Sequence, residues 1–216
     1  MAKFGFTPSP ELLELIQYGL KVKNSGEALA PIRNEIALKL NEEILTALLT
    51  DLVSKFPSSD KTETTLKLAQ YVKASVVMLL KPLLSDTTNK VAKTSIEFYG
   101  KSVFKAKDGD YHVGFQLDPR LFTNLQHSFT QIKAGERIDQ AALAENYKQW
   151  AEAIVAHFLT EFSKTLDLGM LKAKAADVAT SAVLKAIYIA LDKLTLNFNR
   201  NELKILADYH ATLFHP

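Results

Sequence analysis

This sequence predicts a mainly α fold: a bundle-like array of about seven helices with one inserted β-hairpin over about residues 102–116. Three observations carry that expectation. Apolar residues recur at three- and four-residue spacing through most of the 216 residues, which is the period of a helix with one buried face. Ser9-Pro10, Asp118-Pro119 and Asn199 stand at the heads of such runs, where a capping side chain and a proline at the first helical position belong. Alternation of period two is confined to "KSVFKAKDGDYHVGFQL" (101–117), built around an Asp-Gly turn.

The elements follow in order. "SPELLELIQYGL" (9–20) opens the first helix, with Ser9 as cap and Glu11 in the first turn, and "NSG" (24–26) is a loop. From Leu29 to Phe56, Ile32, Ile36, Leu40, Ile44, Leu48, Leu52 and Phe56 form one apolar stripe, and Arg33, Glu35, Lys39, Glu42 and Glu43 mark its wet side. "PSSD" (57–60) breaks the chain before a helix over 62–84, whose stripe is Leu68, Val72, Ser75, Val76, Leu79 and Leu83. A shorter helix spans 86–99. Helices over 118–133, 138–166, 171–194 and 199–214 complete the chain. The 171–194 segment is apolar nearly all round from Val178 to Leu191 and is expected at the centre.

In the hairpin, pairing outward from a two-residue Asp-Gly turn sets Lys105 opposite His112 and Phe104 opposite Val113. One face then holds Phe104, Ala106, Tyr111, Val113 and Phe115, and the other holds Lys105, Lys107, Asp110, His112 and Gln116. A lone hairpin is marginal in water, so the apolar face must lie on helices or on a partner.

The length suits a single helical domain over 1–216. "LTDLVSKF" (49–56) resembles "LTEFSKTL" (159–166), and each precedes a helix carrying Val-x-x-Ser-x-Val. That similarity suggests two helix-pair halves, about 1–100 and 118–216, joined by the hairpin.

Composition excludes several functions. There is no cysteine, hence no disulfide, thiolate zinc site, iron–sulfur cluster or cysteine nucleophile. "MAKFGFTPSPELL" lacks the apolar core of a signal peptide, and no apolar run approaches the ~20 residues of a membrane span, so a cytoplasmic location is expected. The net charge of +2 does not by itself indicate nucleic acid. The lysines at 90, 93, 101, 105 and 107 are read as protection of a strand edge.

Motifs narrow the field further. Counted from Asp108, an EF-hand would place Val113 at the glycine position and Pro119 at the bidentate acid, so that loop fails. No histidine follows an acid by three residues, and His-Glu-x-x-His, glycine-rich phosphate loops and Gly-x-Ser-x-Gly are all absent. No catalytic, cofactor-binding or metal residue is assigned, and no cofactor is expected. His157, one turn before Glu161 and two after Trp150, is the histidine with the most suggestive neighbours, although such a pair is commonly structural.

The reading that follows is a non-enzymatic regulatory or adaptor module, contacting another protein or a second copy of itself. Phe104, Tyr111, His112, Val113 and Phe115 of the hairpin are its candidate contact or lid residues. The first alternative is a helical binder of a small apolar ligand, with Trp150, Ile154, His157, Ala182 and Ala186 lining the pocket. The second is an enzyme whose residues are scattered along the chain.

Overall fold

Among the described residues, eight helices and a small four-stranded antiparallel sheet form a mainly α fold that is 74% helical. The computed structural model describes residues 2–57, 60–85, 87–195 and 197–216; the side chain of Leu68, placed in the apolar stripe of 62–84 by periodicity, lies outside the described residues. Strand β1 (Lys3–Phe6) leads to α1 (Pro10–Val22) and α2 (Leu29–Leu45). Helix α2 runs on through a π-helical turn, Thr46–Thr50, into Asp51–Val53. Then come α3 (Asp60–Leu83), α4 (Asn89–Ser102) and β2 (Val103–Lys105). The same order begins again with β3 (Tyr111–Gln116), α5 (Pro119–Ala134) and α6 (Gln140–Val155), which also ends in a π turn, Ala156–Glu161. Helices α7 (Met170–Thr195) and α8 (Arg200–His210) and strand β4 (Phe214–His215) close the chain. Among the described residues no helix is long and apolar enough to cross a membrane.

The helix starts follow from their caps. Ser9 Oγ accepts from the Leu12 amide at 3.1 Å, and Asp118 Oδ1 accepts from the Arg120 and Leu121 amides, each with proline at the first helical position. Asn199 and Glu202 form a reciprocal capping box at α8. Helix α5 stops at Gly135, whose φ of 74° suits a residue without Cβ.

The sheet order is β2-β3-β1-β4, so the hairpin strands are joined by two more from the chain ends. Its centre pairs Phe4 with Phe115, Gly5 with Gly114 and Phe6 with Val113. The outer strands pair Val103 with Val113 and Phe104 with His112 on one side, and Phe4 with Phe214 and Lys3 with His215 on the other. These registers are related by a pseudo-twofold axis through the Gly5–Gly114 pair. The sequence carries the same relation, with "KFGFTPSPELL" (3–13) against "HVGFQLDPRLF" (112–122). The glycines permit the contact: a Cβ on Gly114 would lie 1.9 Å from the Phe4 carbonyl oxygen.

Three expectations are corrected by the structure. The hairpin loop has three residues: the Ala106 amide donates to the Asp110 carbonyl, the Gly109 amide to the Ala106 carbonyl, and Gly109 takes φ of 94°. The register therefore moves by one residue, and in a strand of period two that moves Phe104 to the outer face beside His112. Arg33, read as part of the wet side of α2, is fully buried; among the described residues it donates to the Leu84 carbonyl at the C-terminus of α3, where the helix dipole favours a cation. Helix α7 is peripheral: Val178 and Ile189 are exposed, and Ala176 and Val183 are its buried residues among those described.

The inner face of the sheet, with Phe4, Phe6, Val113 and Phe214, packs on α6, where Trp150 meets the Phe4 ring edge-on. One apolar core runs from there through α2, α3, α6 and α8.

Candidate functional site

The tails of α2 and α6 face each other across an apolar cavity. Both segments are widened to π turns, and the sequences match: "ILTALLTDL" (44–52) against "IVAHFLTEF" (154–162). An extra residue per turn swells the helix and aims side chains where a regular helix could not, a device frequent at functional sites. Leu45, Leu48 and Leu49 project from one turn, and Val155, Phe158 and Leu159 from the other. Val72 and Val76 of α3 and Val183, Ile187 and Leu191 of α7 complete the outer wall. The volume open to the centre of a water molecule is about 130 Å³. No Asp, Glu, Lys or Arg lines it among the described residues.

One end of the cavity is polar but uncharged. The Leu48 carbonyl, inside the first π turn, can only accept, so His210 Nε2 at 3.1 Å carries the proton. His210 Nδ1 is then an acceptor for the Tyr147 hydroxyl, 2.7 Å away. Beside them the Tyr209 hydroxyl donates to the Ala47 carbonyl at 2.6 Å. Helix α8 thus satisfies two carbonyls of the widened turn. Burial pushes the His210 imidazole down to about 4, against a smaller opposing effect of the Leu48 bond, and holds the Tyr147 phenol well above its ordinary value. Both groups stay neutral at physiological pH. Trp150, the single tryptophan of the chain, lies on the wall, and its buried Nε1–H has no acceptor among the described residues.

No family model, curated protein or solved structure matches this chain.

Of the residues named from the sequence, Trp150 and Ile154 lie on this cavity wall. His157 lies away from it, stacked on Phe115 at 4.7 Å with its Nε2 3.0 Å from Ser102 Oγ. Burial lowers the His157 imidazole to about 4, with Glu161 opposing weakly. Glu161, one turn on, accepts from Lys164 at 2.5 Å, and no hydrogen bond joins it to His157 among the described residues. Ala182 is exposed and Ala186 half-buried, and neither lines the cavity; Val183 and Ile187 take that place. In the hairpin, Val113 and Phe115 turn inward, Phe104 and His112 lie on the outer face, and Tyr111 is exposed.

Sequence reasoning did not name Leu48, Leu49 or His210 as site residues; Tyr147 and Phe158 fall among the aromatics of 147–162 that the ligand-binding alternative put on the cavity. The repeated Leu-Thr-Asp/Glu segment was the available signal, since it marks both π turns. Neither the turns nor the closure by α8 has a periodicity of its own.

Proposed function

We propose that the protein binds a small, uncharged, largely apolar molecule between the two π turns. The observation that carries this reading is a partly open cavity walled mostly by aliphatic and aromatic side chains, whose polar lining among the described residues, Asn41, Thr65, Tyr147 and His210, carries no Asp, Glu, Lys or Arg. A charged ligand would be desolvated there without a counter-ion, which costs several kcal/mol. An oxygen-bearing ligand would supply the acceptor that Trp150 Nε1 lacks. A cleft between packed helices is where ligand sites commonly form.

Trp150 makes the test direct, because all tryptophan emission reports from the cavity wall. Titration with straight-chain alcohols from hexanol to dodecanol should shift the emission and raise Tm. The carboxylates of the same chain lengths should bind at least tenfold more weakly. Unchanged emission and Tm across the alcohol series would overturn the reading, and so would a preference for the carboxylates.

A second reading, the adaptor, has one observation in its favour. Tyr71 and Met78 on α3, and Met170, Leu171, Val178 and Ile189 on α7, expose large apolar surface on neighbouring helices. Under this reading a cytoplasmic partner protein or a second copy of the chain covers them, and Met78→Glu with Val178→Glu should abolish association seen by light scattering.

A further inference from the structure

On the outer face of the sheet, three potential ligands converge from distant parts of the sequence. His112 is on β3, His215 on β4, and Asp108 in the hairpin loop. Each offers one donor atom, and the three donors lie within 4.8 Å of one another. The two glycines at the sheet centre create the room. At Gly5 a Cβ would meet the Phe104 ring at 2.6 Å and His112 Cβ at 3.2 Å. With no side chain there, the Phe104 ring covers the strand, and the imidazoles of His112 and His215 approach across β1 to 4.1 Å between centroids.

The chemistry of each group suits an ion. His215 Nε2 is held by the Gly5 carbonyl at 3.1 Å, so it carries the proton and leaves Nδ1 as a lone-pair donor. A ring oriented through its other nitrogen by a backbone carbonyl is the usual support of a metal-bound histidine. His112 is 5% exposed and its Nδ1 has no partner among the described residues. Its Nε2 lies 3.2 Å from Asp108 Oδ2. Two ligands on one tetrahedral ion, with bonds of 2.0–2.1 Å, stand about 3.3 Å apart. The pseudo-twofold axis provides a contrast: the positions equivalent to His112 and His215 hold Lys3 and Phe104, whose contact is a cation–π pair at 4.3 Å. Only one of the two equivalent positions carries donors.

We propose that Asp108, His112 and His215 bind a divalent transition metal of the zinc class, with one coordination position left open. Two imidazoles and one carboxylate are a donor set for zinc, cobalt or nickel rather than for magnesium or calcium. Asp108 and His215 also line a groove with Lys3, Lys105 and Lys107. That groove favours water or an anion as the fourth ligand. Sequence spacing expects no metal here. The site stands apart from the apolar cavity and does not depend on it.

The test uses the full chain. Isothermal titration with Zn²⁺ should give one site, and Co²⁺ should produce the visible absorption of a four-coordinate ion. Asp108→Asn, at an exposed loop position, and His215→Gln should each weaken Zn²⁺ at least tenfold and reduce the Co²⁺ absorption, with circular dichroism unchanged. His127→Gln, at an exposed histidine elsewhere, should leave both readouts as they are. Absence of saturable Zn²⁺ binding would overturn the proposal. Binding that survives both Asp108→Asn and His215→Gln would also overturn it.

Discussion

Filling the cavity should stabilise the free protein and remove its response to ligand. Ala151 lies on the wall, on the same turn of α6 as Trp150 and one turn before Val155. The partly open apolar space of about 130 Å³ leaves room for a larger side chain there. Ala151→Leu adds three carbons, each contributing at most ~0.8 kcal/mol when buried. The ceiling is therefore about 2 kcal/mol, and imperfect rotamer fit reduces it to about 1. For a chain near this size that is a rise of roughly 2–8 °C in Tm. Guanidinium unfolding followed by circular dichroism measures the gain, and titration with decanol followed by Trp150 emission measures the loss of binding. The reasoning fails if Ala151→Leu lowers stability by the ~1–3 kcal/mol of an overpacked core. It also fails if decanol shifts variant and wild type alike.

Acidification should destabilise the protein before its carboxylates titrate. The fold holds His210 neutral down to about 4, whereas the unfolded chain protonates it near the ordinary 6.5, so the unfolded state binds the extra proton in between. Stability is then full above about pH 6.5 and is lost as pH falls toward 4, by about 3 kcal/mol from His210, with His157, also lowered to about 4, adding a loss of the same sign; a flat stability between pH 7 and 5 would contradict the burial of both groups. Gly109→Val should cost ~1–3 kcal/mol through backbone strain alone, since no atom lies within 4 Å of the added Cβ, and hydrogen exchange at 103–115 should quicken. Gly5→Ala should cost ~1–3 kcal/mol by displacing the Phe104 ring, read as a lower denaturation midpoint. Arg33→Met should be neutral or stabilising, because two of the buried guanidinium nitrogens have no partner among the described residues; a loss of ~3 kcal/mol or more would show that the charge is better compensated than its bond to Leu84 indicates.

Much of the fold was legible because its causes are local. A serine or aspartate followed by proline starts a helix through contacts within four residues, and Ser9, Asp118 and Asn199 each cap as their neighbours require. The stripe from Ile36 to Ile44 is buried, as its spacing demands. The hairpin, too, was visible from Asp108-Gly109. Its register was not, because a two-residue and a three-residue loop use the same glycine. The difference between them moves the side chains of one strand, here β2, to the opposite face relative to the other. Two very short strands, β1 and β4, were also invisible: neither is long enough to show alternation, and each exists because another strand offers its edge.

The sequence alone determined the helical segments, their caps, the turn at Gly109, and the absence of cysteine chemistry. Tertiary structure decided which apolar residues enclose space and which simply fill it. Periodicity ranks Leu40 and Leu48 alike, yet the first is sealed in the core and the second lines a cavity, because only the second lies on a widened turn facing its counterpart. It also decided that Arg33 is buried, that α7 lies at the periphery, and that His112 and His215 meet. The first two depend on what packs against a helix face, which no residue on that face specifies. The last depends on two glycines that bring separate strands together, and a single chain read in order carries no measure of that distance.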